Sequence, residues 1–227
     1  MSKKIKIRAF KAVEDKTTCQ KFFEGHVNVL KSYGLETISS SKNEWFNNSN
    51  VYGVIAEIED KVVGGVKIHG VNGKDLLPVE ESVGYMDERL FDIVINYANN
   101  GGAGEACGLW NAREVSGWGL SLIMMKAIVS ICNQININTL FGLSSDHTLQ
   151  LFKSLGYHVI TSLGDKGDFV YPTPEYLARV IIMNTRTLEG SDKNNRELIF
   201  ELRKSPNQTR LEKTKKGNIE VEYNLSL

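Results

Sequence analysis

The spacing of apolar and polar positions changes several times along the chain, and each change marks an element. Ile5, Ile7 and Ala9 alternate within residues 5 to 10, which predicts a first strand. From Glu14 to Tyr33 the apolar positions Cys19, Phe22, Phe23, Val29, Leu30 and Tyr33 recur at helical spacing, and Gly34 stops the run. Ser41-Lys42-Asn43-Glu44 has the form of a capping box ahead of a short helical turn. Val51 to Ile58 and Val62 to His69 read as strands, with Glu59-Asp60-Lys61 joining them as a hairpin. Leu77-Pro78 opens a helix striped by Val79, Val83, Met86, Leu90, Ile93, Val94 and Tyr97, and the loop Asn99 to Gly104 ends it.

The next stretch organises the rest. Glu105 to Ala112 reads as a strand, Ser116-Gly117-Trp118-Gly119-Leu120-Ser121 as a tight loop, and Leu122 to Ile131 as a helix apolar nearly all round. Such a helix packs between a sheet and further cover. Gly117 and Gly119 permit positive φ and close approach of the backbone to a ligand. The first-turn amides of the helix lack intrahelical partners and sit at the positive end of its dipole, so the loop is a candidate phosphate site.

Thr139 to Ser144 follows as a strand, then Asp146 as the N-cap of a helix carrying Leu149, Leu151, Phe152 and Leu155. Gly156 closes that helix, and Tyr157 to Ile160 resumes as a strand. Asp165 to Asp168 is a turn, Tyr171 to Pro174 a rigid connection, and Ala178 to Met183 a buried strand. Glu189 to Asn195 reads as a polar linker. Alternation at Leu198, Phe200 and Leu202, and again at Ile219, Val221, Tyr223 and Leu225, predicts two last strands around Lys213, Lys215 and Lys216. The expected division is a main domain over 1–190, with a helical insertion at 70–104, and a hairpin-like extension over 191–227 serving as a sheet edge or homodimer contact.

The order strand, glycine loop, apolar helix, strand and short helix, ending in Leu155-Gly156-Tyr157, resembles the GNAT (Gcn5-related N-acetyltransferase) superfamily. Its coenzyme A loop is Arg/Gln-x-x-Gly-x-Gly/Ala; Ser116 falls on the first position, Gly119 on the glycine and Ser121 on the last. Leu151-Phe152-Lys153-Ser154-Leu155-Gly156-Tyr157 matches its Leu-Tyr-x-x-Leu-Gly-Phe. The insertion is similar to that of acyl-homoserine lactone and long-chain N-acyl amino acid synthases, which take acyl groups from carrier protein.

The resemblance implies an α/β (α+β) fold with a mixed, mostly antiparallel sheet, splayed central strands and helices on both faces. It implies an N-acyltransferase using acetyl-coenzyme A or a longer acyl-coenzyme A, or acyl-carrier protein, with a small amine or amino acid as acceptor. Coenzyme contacts would come from Leu109, Trp110, Asn111, Ser116, Gly117, Trp118, Gly119, Leu120, Ser121, Asp146 and Phe152. Glu105 is the expected base, and Tyr157 is one of the groups able to protonate the thiolate in place of the family's tyrosine. The chain departs from the family at Ser116, which lacks a cationic or amide side chain, and at Phe152, which cannot donate a proton. A protein that holds coenzyme A without turnover is therefore the alternative. A dinucleotide or Walker-type site fits less well, because the third glycine and the loop lysine are missing.

Composition narrows the picture further. Over 227 residues, Lys+Arg and Asp+Glu are balanced at 27 each, so no global field points to nucleic acid or an anionic membrane. There is no apolar leader after Met1-Ser2-Lys3-Lys4 and no run of membrane-spanning length, so a cytoplasmic protein is expected. Cys19, Cys107 and Cys132 read as free thiols, and His26, His69, His147 and His158 lack metal-ligand spacing, so no metal is expected.

Overall fold

In a computed structural model, residues 4–34 and 43–227 are described. The elements are β1 (Lys4–Lys11), α1 (Lys16–Ser32), β2 (Val51–Ile58), β3 (Lys61–Gly70), α2 (Arg89–Asn99), β4 (Ala103–Asn111), α3 (Leu120–Ile131), β5 (Thr139–Ser145), α4 (Asp146–Ser154), β6 (His158–Val159), β7 (Phe169–Val170), β8 (Leu177–Asn184), α5 (Lys193–Lys204), β9 (Asn207–Thr214) and β10 (Gly217–Asn224). Ser41 and Lys42 of the expected capping box lie outside the described residues, and Glu44–Asn47 makes one 3-10 turn.

A single mixed sheet runs β6-β8-β5-β4-β3-β2-β1-β10-β9, with β7 joined to β8. The β4/β5 and β1/β10 pairs are parallel, and the remaining pairs are antiparallel. Glu59 and Asp60 both take positive φ, as a two-residue turn between twisted strands requires.

The alternation of strand side chains sorts the core into two layers. Val66 and Ile68 of β3 face the cluster built on α3, while Lys67 between them meets Phe22 of α1 and Trp45. Likewise Leu140 of β5 joins the α3 cluster and Phe141 the one under α2. The all-round apolarity of α3 is explained by its cover. Leu198, Ile199 and Leu202 of α5 pack in the same cluster, as do Ile219, Val221 and Tyr223 of β10.

Three expectations are corrected. Leu198, Phe200 and Leu202 lie on helix α5, not on a strand: Leu198, Ile199 and Leu202 make the buried stripe and Phe200 faces outward. The last three residues of the polar stretch to Asn195 begin that helix, fixed by Asn195 Nδ2 donating to the Ser154 carbonyl at 3.0 Å. The insertion helix is broken into a π-helical turn (Glu80–Gly84) and α2, because the Phe91 ring packs against Gly84 and Asp87 accepts from the Arg89 amide. No helix among the described residues is long and apolar enough to cross a membrane.

One glycine of α1 carries a packing constraint. A Cβ at Gly25 would lie 2.0 Å from the Trp110 ring, itself pinned edge-on by Phe22. Gly25→Ala is therefore expected to destabilise the fold by about 1–3 kcal/mol despite alanine's better helix propensity. Urea denaturation should show a lower midpoint with the same slope; an unchanged midpoint would mean that the ring moves aside freely.

Candidate active site

β4 and β5 pair only from Ala103↔Thr139 to Glu105↔Phe141 and then diverge. Beyond that point β5 is held by β8 through Ser145, and β4 by β3. A bulge sets β4 off its partner: the register shifts between Gly65 and Lys67, with Gly108 at φ +61. An extra residue bends and twists the bulged strand. The result is a cleft of about 260 Å³, lined by Glu105, Cys107 and Gly108 on one side, Ser144 and Thr148 on the other, and capped by Tyr176.

Past the cleft, β4 leads through a 3-10 turn (Arg113–Val115) into the glycine loop. Gly117 and Gly119 take φ +80 and +67, and Gly119 is the N-cap of α3. The amides of Gly119, Leu120 and Ser121 find no acceptor among the described residues. The space a Cβ would fill at Gly119 is open. Ser121 Oγ donates to Asn111 Oδ1 at 2.7 Å and ties the helix start to the strand end. Trp118 is half-buried against the α3 core, which leaves the face at Gly119 clear.

Glu105 is not a solvated strand end. It is 2% exposed, and the Val79 amide of the insertion donates to Glu105 Oε2 at 2.6 Å. Burial pushes its carboxyl up to about 8, against the Val79 hydrogen bond and the charge of Lys67, which hold it down. Around it the sheet face is polar and enclosed. Lys67 is 1% exposed, 5.9 Å from the Phe22 ring centre and 5.4 Å from that of Trp45. Burial, with Lys67 adding to it, depresses His26 to about 3 and His69 well below its usual value, so both imidazoles are neutral at pH 7. Beside this patch a polar cavity of about 300 Å³ is lined by Lys67, His69, Trp45, Asn48, Asp75 and Glu81. It shares Pro78 with the cleft.

Other residues singled out in the sequence are placed elsewhere. Tyr157 is buried in the core on the α3 side, edge-on to Phe152 at 5.3 Å, and is not among the cleft-lining residues. Burial carries its hydroxyl well above the usual tyrosine range, and Oη has no hydrogen-bond partner among the described residues. Trp110 packs under α1 and Leu109 against the α3 core. Asp146 is the first residue of α4, not its cap: Ser145 holds that position, and the Asp146 carboxylate pairs with Arg179. Lys67, Ser82 and Thr148 were not singled out. A lysine between Val66 and Ile68 was the readable signal, since its strand is otherwise apolar there.

No protein-family model matches the chain, and no curated protein sequence matches it. Solved structures do. FeeM, an N-acyl amino acid synthase from uncultured soil microbes, superposes with TM-score 0.59 over 85% of this chain and 97% of its own, at 11% identity. BjaI, a coenzyme A-dependent acyl-homoserine lactone synthase solved with SAM and isopentyl-CoA, gives 0.56 over 88% and 90%, at 14% identity. An acetyltransferase of the GNAT family from Staphylococcus aureus Mu50 gives 0.51 over 79% and 99%, at 12% identity. This chain has the GNAT fold. The mixed sheet and the splayed β4/β5 pair are those the sequence resemblance implies.

Proposed function

We propose that the chain is an N-acyltransferase that moves an acyl group from acyl-coenzyme A, or from acyl-carrier protein, to a small amine. The observation that carries this reading is the cleft between β4 and β5, which is lined by a buried carboxyl, with β4 continuing beyond it into a loop of unpaired amides. The pyrophosphate would lie on the amides of Gly119, Leu120 and Ser121, and the thioester between the diverging strands. The acceptor would enter from the polar cavity by Lys67 and His69. Its nitrogen bonds to the thioester carbon, the C–S bond breaks, and Glu105 takes the nitrogen's proton, directly or through a water. A base whose pKa lies near working pH is well matched to that transfer. The thiolate departs without an acid from Phe152 or Tyr157, both in the core.

That last placement also favours the second reading, a protein that binds coenzyme A without turnover. A thermal-shift series tests both against an unrelated nucleotide site. Acetyl-coenzyme A at about 100 times its Kd should stabilise the native state by about 2.7 kcal/mol, and NAD should not. Stabilisation by NAD alone would remove both readings; stabilisation by acetyl-coenzyme A without acyl transfer to any of a panel of amines would leave the second.

A further inference from the structure

Position 116 is where the GNAT loop pattern carries arginine or glutamine, and here it is a serine whose side chain brings no charge. The structure brings a cation to the same place from 100 residues away. Lys216, in the turn between β9 and β10, donates from Nζ to the Ser116 carbonyl at 2.8 Å. Its side chain also lies over the loop: a Cβ on Gly117 would stand 2.8 Å from Lys216 Cε. Glycine at 117 thus serves two ends, the positive φ of the loop and room for the lysine stem.

The turn that presents Lys216 is fixed. The Lys216 amide donates to Thr214 Oγ1 at 3.1 Å, and that hydroxyl donates to the Gly217 carbonyl at 2.7 Å. The hairpin is in turn fastened to α3, the helix whose first turn borders the loop. Lys126 and Glu212 pair at 3.4 Å with both side chains buried, and Tyr223 Oη donates to Glu212 at 3.0 Å. β10 is also paired along β1 in the main sheet. Lys216 itself is exposed, so its ammonium can swing from the carbonyl to a ligand without desolvation.

We infer that Lys216 supplies the cation of the coenzyme site, leaving the Ser116 carbonyl to meet the pyrophosphate when coenzyme A binds, so that the hairpin is part of that site. This rests on the proposed function, since it needs a coenzyme in the loop. An ammonium on a pyrophosphate adds a charge-assisted contact to the neutral amides and makes binding more sensitive to salt.

Calorimetric titration of the full chain with coenzyme A and with pantetheine, which lacks the phosphates, separates the claims. Lys216→Ala should weaken coenzyme A by about five- to tenfold and flatten the salt dependence of Kd. The same variant should leave pantetheine binding and thermal stability unchanged, and Lys216→Arg should restore both affinity and salt dependence. Equal coenzyme A affinity in wild type and Lys216→Ala, or equal losses for both ligands, would overturn the inference while the acyltransferase reading stands. No coenzyme A binding by wild type would overturn the reading itself, and the inference with it.

Discussion

Glu105→Gln is expected to lower kcat by about 10²–10⁴-fold with acetyl-coenzyme A affinity nearly unchanged. Glutamine keeps the shape of the side chain and an oxygen to accept from the Val79 amide, so the insertion should stay docked. What it loses is the capacity to take a proton. The pH profile provides the sharper readout. In the wild type the carboxyl holds its proton until about pH 8, so kcat/KM should rise through that pH and level off above it. The variant should lack that rising limb. The stability linkage has the opposite sign. A carboxyl raised from 4.5 to about 8 on folding contributes stability that is complete below the unfolded value and is lost as pH rises through 8. The variant should therefore tolerate pH 9 at least as well as the wild type. A rising limb that persists unchanged in Glu105→Gln would remove this residue as the base.

How much of this could be read from the sequence depends on how local the cause is. The glycine loop and α3 were legible because their determinants are adjacent: glycines for φ, then a dozen residues of nearly unbroken apolar character. Leu198, Phe200 and Leu202 were misread because a period of two and a helical stripe coincide over five residues, and Ile199 decides between them only when a core surrounds it. Lys67 stands out in the sequence as a lysine on an apolar strand, but its place in the site was hidden for another reason. On a half-buried strand a lysine reads as outward facing, and here the outward face is roofed by Phe22 and Trp45 from segments far along the chain. Lys216 could be read only as part of a charged turn, since its partner Ser116 is brought to it by the β1/β10 pairing and the packing of α3. Tyr157 was placed correctly after Gly156, but the side of the sheet its ring takes follows from contact with Phe152.

The largest effect on coenzyme binding is expected from Gly119→Asp. Substitution there separates anion binding from folding better than at Gly117, where a Cβ would collide with the Lys216 stem. At Gly119 the Cβ would meet open space, and the cost is confined to φ +67, a conformation aspartate tolerates better than most residues. The fold should lose about 1 kcal/mol or less. The site should lose far more, because a carboxylate would lie on the amides of Leu120 and Ser121 and satisfy the α3 N-terminus with the protein's own charge. A pyrophosphate would then have to displace that carboxylate or bind beside it, like charge against like charge. Coenzyme A affinity should fall at least about thirtyfold by equilibrium titration, with most of the loss reversed for pantetheine, which brings no phosphate to the loop. Gly119→Ala should fall between the two, since it adds the strain and not the charge. If Gly119→Asp binds coenzyme A as tightly as the wild type, the phosphates do not lie at the head of α3, and the path of the ligand along β4 has to be redrawn.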